Sequence, residues 1–298
     1  MKTFLANLFT KIGLNKYQLL QKAINYQRKD AGLAYKIIDL LFGKISYLQN
    51  SVKSKGTIVL LHGFGGDKDN WNLFVKQFKN KYHVIAIDML GHGDSSNAQD
   101  YSIENQTRML DAFLAKLDID NIHLVGNSMG GAIALMYSIH GLKKVETLTL
   151  IDPLGLKKSE SELDIELKNS KQNPMLNICS KVSLDKLLHY GMQKPPYIPS
   201  IFIDIIINDK CKRSATEKLI FQQIYENTDL TEIIQNLDVK TLIIWGEKDR
   251  VLHRDNAQLF HHNISKSKLV ILENVGHVPQ LEAPKKTATV FLEFLKEY

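Results

Sequence analysis

Apolar residues cluster in short dense runs bounded by glycine, asparagine and aspartate, and those runs predict the strands of the fold. They lie near 34–39, 44–49, 57–61, 82–88, 121–125, 145–151, 240–245 and 268–272 and are rich in valine, isoleucine and leucine. A different spacing, three and four residues between apolar positions, predicts helices near 70–79, 102–117, 129–140, 255–263 and 283–296. After the first two strands the two patterns alternate, which argues for an α/β fold with a mostly parallel eight-stranded sheet and helices on both faces.

The alternation breaks once. Between Asp152 and about Asn236 no comparable strand run occurs, and the segment carries helix-like patterns with Pro174, Pro195, Pro196 and Pro199. An insertion after the sixth strand would sit over the carboxyl ends of the strands, where open α/β sheets bind their ligands. The expected organisation is therefore an N-terminal basic amphipathic segment at 1–33, a core at 34–152 and 237–298, and a helical cap at 153–236.

The loops after the strands hold the chemistry. Gly126-Asn127-Ser128-Met129-Gly130 stands between a strand run and a helix pattern, the place of a nucleophile elbow, where a tight turn projects a serine hydroxyl clear of the sheet. His62-Gly63-Phe64-Gly65-Gly66 follows the run Thr57 to Leu61 and reads as a loop able to supply a backbone N–H to an oxyanion. Phe64 and Met129, the residue after the serine, are the expected donors. Asp249 follows the run Thr241 to Trp245, and His277 follows Lys268 to Leu272. In the order Ser128, Asp249, His277 these residues match a catalytic triad: the imidazole takes the serine proton, and the carboxylate fixes the imidazole tautomer. Asp152, after the sixth strand, is the rival for the acid. His92 and Asp94 satisfy a turn and receive no catalytic role.

From about Tyr35 to Leu295 the chain resembles the α/β-hydrolase superfamily. The stretches His62 to Trp71, Gly126 to Gly131, Lys194-Pro-Pro-Tyr-Ile-Pro199 and Asn274-Val-Gly-His-Val-Pro279 look like a bacterial lipase and esterase group resembling the ABHD6-type monoacylglycerol lipases. The resemblance implies Ser128 as nucleophile, Asp249 as acid, His277 as base and Phe64 with Met129 as oxyanion donors. It implies a serine hydrolase of carboxylic esters, lipid-like or of short to medium acyl chain, with a small-molecule ester substrate and no cofactor. A carbon–carbon bond hydrolase of meta-cleavage products is the alternative, although Phe64 and Val278 depart from its pattern, and a non-catalytic binding protein of the fold is a third class. Dehalogenase and epoxide hydrolase readings need an aspartate where Ser128 stands.

Composition adds boundaries to this picture. A chain of 298 residues with 44% hydrophobic content can bury a full core. No run of eighteen apolar residues occurs, so no transmembrane helix is expected. No cysteine and histidine spacing of a metal site occurs, and His261 with His262 reads as a solvated helix face. The only cysteines, Cys179 and Cys211, stand at a spacing that leaves a disulfide open, and two free thiols in a reducing, cytoplasmic setting are the expectation. Ile201, Phe202, Ile205, Ile206 and Ile207 give an apolar helical face, with Met175, Leu176, Tyr197 and Ile198 nearby, which suggests a substrate pocket for an apolar group lined by Tyr197, Ile198, Phe202, Ile205 and Val278.

Charge is local. Lys2, Lys11, Lys16, Lys22, Arg28 and Lys29 against Asp30 account for +5 of the chain's net +6, so the excess argues for no nucleic-acid partner. Met1, Phe4, Leu5, Leu8, Phe9 and Ile12 recur at helical spacing beside those charges. Residues 1–20 are therefore expected to touch anionic membrane peripherally, on the inner face.

Overall fold

The structure, a computed structural model, describes residues 15–53, 56–170 and 172–297. Its eight strands are β1 (Ala34–Leu40), β2 (Gly43–Gln49), β3 (Thr57–Leu61), β4 (His83–Ile87), β5 (Asn121–Asn127), β6 (Lys144–Ile151), β7 (Thr241–Gly246) and β8 (Ser267–Leu272). They form one sheet in the order β1-β2-β4-β3-β5-β6-β7-β8. The β1–β2 hairpin is antiparallel, β2 joins β4 antiparallel, and every later pairing is parallel.

Central strands are mostly apolar along their buried stretches because both faces are covered. Along β3, Val59 and Leu61 enter one buried cluster while Ile58 and Leu60 enter the other. β7 divides likewise, with Ile243 and Trp245 against Leu242 and Ile244. Strand period two thus feeds two cores, as parallel sheets require. Ile103–Lys116 and Met129–His140 close the first face, and Asn72–Lys76 with Pro284–Lys296 close the second. The helix expected at 70–79 is shorter, a 3₁₀ turn over Lys68–Trp71 continuing into Asn72–Lys76.

The stretch between β6 and β7 folds as helices, named here αA (Glu162–Asn169), αB (Lys181–Gly191), αC (Ser200–Lys212) and αD (Ser214–Ile224). Cys179 and Cys211 do not stand as the expected free thiols. They form a disulfide that joins the loop before αB to the last turn of αC, with Cα atoms 4.8 Å apart. Their 32-residue separation carries no information about pairing; the helical turnaround that brings them together does.

At the amino end, the helix Lys16–Asp30 begins with a capping box in which Asn15 Oδ1 accepts from Gln18 N and Gln18 Oε1 accepts from Asn15 N. Its far end is docked: the Arg28 guanidinium donates to both oxygens of Asp69, at 2.7 and 2.6 Å. The apolar positions Met1 to Ile12 of the expected amphipathic face lie outside the described residues. Among the described residues no helix is long and apolar enough to cross a membrane.

Candidate active site

Ser128 sits between β5 and the helix Met129–His140 at φ 54° and ψ −116°, a region that side chains rarely occupy. Such a turn is kept where the surroundings over-determine it. Here the Ser128 N–H donates to Ile151 O at 3.0 Å, and Ser128 O accepts from the N–H groups of Gly131, Ala132 and Leu154. The glycine after it is required by close approach: a Cβ at Gly130 would lie 2.3 Å from Leu61 O, at the end of β3. Met129 is the first residue of the helix, where an N–H has no acceptor within the helix.

The residues expected at two other strand ends are brought together. His277 Nδ1 lies 2.7 Å from Asp249 Oδ2, and the Asp249 side chain is fully buried. The other Asp249 oxygen accepts from the N–H groups of Val251 and Leu252, at 2.8 and 3.0 Å. An ionised carboxylate only accepts, so the Nδ1 proton faces Asp249 and the lone pair of Nε2 remains available. Ser128, His277, Phe64, Met129 and Val278 all line one cavity of about 60 Å³.

The other expected pocket residues are elsewhere. Tyr197 is 81% exposed, and neither it nor Ile198, Phe202 or Ile205 lines this cavity. None of the residues of αC is buried, and none of its isoleucines lines the cavity. The inner wall comes instead from Leu154, Leu163, Met175, Phe221, Ile224 and Val251. αD is the helix that turns Phe221 and Ile224 inward, and its mixed polar sequence concealed them.

Three polar residues that sequence reasoning missed hold the site. Asn127 Nδ2 donates to Ile151 O and to His277 O, each at 3.0 Å, and Asn127 Oδ1 accepts from Gln280 Nε2. Glu282 accepts from Gly276 N at 2.8 Å, and from Gln193 N and Lys194 N, joining the histidine loop to the segment after αB. Their only signal in the sequence is polarity beside an apolar run.

Asp152 does not contact His277 as Asp249 does. It is fully buried at φ 43°, accepts from Gly246 N through Oδ1 at 2.8 Å, and its Oδ2 has no hydrogen-bond partner among the described residues. Burial, and next the charge of Asp249, hold its carboxyl well above the usual carboxylate range. Asp152, Asp249 and His277 offer ligand atoms within 4.8 Å of one another. A cation there would have to displace the Asp249–His277 hydrogen bond and deprotonate Asp152, so the donor set suits a proton better than a metal.

The turn after β4 is structural. Asp88, fully buried, accepts from the Lys68 ammonium at 2.7 Å and from Asp94 N, and the buried His92 ring is held well below its ordinary pKa by burial and the adjacent His62.

A family profile described as alpha/beta hydrolase fold matches residues 56–184 and 210–284. The chain is 34% identical over 280 residues to Lipase 1 of Psychrobacter immobilis, covering 92% of this chain and 88% of that one. It is 30% identical to Monoacylglycerol lipase ABHD6 of Bos taurus, covering 81% of this chain and 75% of the relative. A solved structure described as a membrane phospholipase A and novel bacterial virulence factor superposes with a TM-score of 0.91 at 31% identity, covering 100% of this chain and 99% of the other. The chain belongs to the alpha/beta hydrolase fold family.

Proposed function

We propose that the protein is a serine hydrolase of lipid-like carboxylic esters, acting through an acyl-serine intermediate. The observation that carries this reading is the Asp249–His277 hydrogen bond of 2.7 Å beside a cavity that also holds the strained Ser128. In the proposed mechanism His277 Nε2 removes the Ser128 proton as Oγ attacks the ester carbon. The N–H groups of Phe64 and Met129 receive the oxyanion, and the imidazolium, stabilised by Asp249, returns the proton to the leaving alcohol. Water then repeats the sequence and releases the acid. The cavity wall of Leu154, Leu163, Met175, Phe221, Ile224 and Val251 presents no charge and suits an acyl chain. The similar proteins named lipase and monoacylglycerol lipase support the same substrate class.

We read the segment 153–236 as the cap over this site, since Leu154, Leu163, Phe221 and Ile224 all come from it or its entry. Residues 1–20 are proposed to make peripheral contact with anionic membrane. The disulfide argues for an oxidising compartment in place of the cytoplasm, because thiol pairs persist there and are reduced in the cytosol.

The test is hydrolysis by purified protein of p-nitrophenyl esters and monoacylglycerols of graded chain length, with Ser128→Ala and His277→Ala alongside. Each variant should lose several orders of magnitude in kcat while keeping its fold, and the double variant should be scarcely worse, because the residues act as a unit. Turnover of a meta-cleavage dienone without ester hydrolysis would overturn the reading.

A further inference from the structure

The oxyanion loop is held from two sides. Within it, the Gly66 N–H donates to Gly63 O at 3.1 Å, closing a four-residue turn around Phe64 whose third residue, Gly65, takes φ 66°. That left-handed turn position favours glycine, with asparagine next. The buried His62 ring adds a contact from Nδ1 to Gly63 O at 2.8 Å. From the cap side, the Lys210 ammonium donates to Gly65 O at 2.6 Å and to Glu217 Oε1 at 2.8 Å. Glu217 is 3% exposed, so this ion pair between αC and αD is sunk against the loop.

Lys210 is fixed at its own backbone as well. The next residue is Cys211, bridged to Cys179, and Arg213 donates to Gly93 O at 2.7 Å. Residues 210–213 therefore grip two core loops at once, one of them carrying Phe64.

We propose that Lys210 is a positioning residue for the oxyanion hole: its bond to Gly65 O, braced by Glu217 and the Cys179–Cys211 bridge, sets the Phe64 N–H. This inference rests on the reading of Phe64 as an oxyanion donor. The physical basis is that a charge-assisted bond to a carbonyl is short and directional. It fixes the Gly65–Gly66 peptide, whose N–H in turn donates to Gly63 O of the peptide that carries the Phe64 N–H, and donors stabilise the transition state only within a narrow distance of the developing oxyanion. The cap's seat on the core thus sets turnover as well as access.

The experiment compares Lys210→Met, which keeps the stem and loses the donor, with Lys210→Arg, which keeps a donor. Three quantities are measured with a short-chain ester: kcat, KM, and the affinity of a trifluoromethyl ketone whose serine adduct places an oxyanion in the hole. Lys210→Met should lose about tenfold in kcat, less than outright removal of a donor. Its KM should stay near the wild-type value, and ketone affinity should weaken by the same factor as kcat. Lys210→Arg should recover most of both. If Lys210→Met does not fold, a Cys179→Ser, Cys211→Ser double variant carries the test, with kcat and ketone affinity expected to fall together. Unchanged kcat, a kcat loss without loss of ketone affinity, or an arginine variant as poor as methionine overturns the proposal. Wild-type protein that hydrolyses no ester would instead overturn the functional reading beneath it.

Discussion

Asn127 Nδ2 donates to the backbone carbonyl of His277 at 3.0 Å, tying the residue before Ser128 to the loop of His277 across 150 positions of chain. The same amide donates to Ile151 O, and its oxygen accepts from Gln280. A single buried side chain thus holds three strand-end loops in register.

Removing that tether should cost both stability and rate. Ile151 O keeps the Ser128 N–H, but Asn127→Ala leaves the His277 carbonyl and the buried Gln280 amide without this partner, each worth on the order of 1–3 kcal/mol when left unpaired, so Tm and kcat should both decline. Asn127→Asp keeps the shape but offers no N–H when ionised, and should be no better than alanine. Calorimetry with ester kinetics checks this; wild-type kcat in the alanine variant would show that the elbow and the histidine loop hold their places without Asn127.

The two acids should separate sharply. Asp249→Asn removes the acceptor for His277 Nδ1 and should lower kcat by about 10⁴, the scale known for the same change in the serine-protease triad. Asp152→Asn keeps an acceptor for Gly246 N and offers an N–H where the carboxyl has its proton, so most activity should remain. The reverse ranking would make Asp152 the acid.

Asp152 should also appear in the pH dependence of stability. Burial and then Asp249 raise its pKa well above 3.8, so the folded protein keeps a proton that the unfolded chain releases. Stability from this group is complete below about pH 4 and is lost as pH rises toward the folded pKa. Asparagine cannot ionise. The Tm of Asp152→Asn relative to wild type should therefore climb as pH rises above about 4, and a constant difference would contradict a proton held on the buried Asp152 carboxyl.

The fold was legible because β3, β5 and β7 are apolar for physical reasons that leave a mark in sequence. They are covered on both faces, and Gly126, Gly130 and Gly246 stand where a neighbouring backbone approaches too closely for a Cβ. Positions of Ser128, Asp249 and His277 follow from strand ends alone. What was not legible depends on tertiary approach. Phe221 and Ile224 are hidden in a helix with glutamine, lysine and glutamate, and the pairing of Cys179 with Cys211 exists only once αB and αC turn back on each other. The apolar residues Ile201, Phe202, Ile205, Ile206 and Ile207 misled because an apolar helix face does not say what packs against it: none of them is buried and none lines the cavity.

That distinction sets a prediction for chain-length preference. Ile224→Asp places a charge in the cavity wall and should reduce hydrolysis of medium-chain esters more than of acetate, since the charge is costly where a chain must pack. Phe202→Asp and Ile205→Asp, on half-exposed positions of αC, should affect both substrates equally. Selective loss of medium-chain turnover in the αC variants would return that helix to the pocket.

The amino-terminal segment allows catalysis to be tested apart from the proposed membrane contact. The helix Lys16–Asp30 is anchored without residues 2–14: its cap is Asn15, Arg28 is paired with Asp69, and Asp30 accepts from Lys76 at 2.6 Å. Deleting residues 2–14 should therefore leave Tm and kcat on a soluble ester unchanged. It removes Lys2 and Lys11 together with the apolar positions Phe4, Leu5, Leu8, Phe9 and Ile12. Each lysine near an anionic surface contributes about 1 kcal/mol, so loss of the charges alone should weaken partitioning by roughly 30-fold, and loss of the apolar face should weaken it further. Sedimentation with vesicles rich in anionic lipid, at low and high salt, gives the measurement, with neutral vesicles as the control. Binding that is salt-sensitive in the full chain and absent after deletion supports the contact, whereas a truncated protein that binds as strongly as before would move the membrane surface to another face of the molecule.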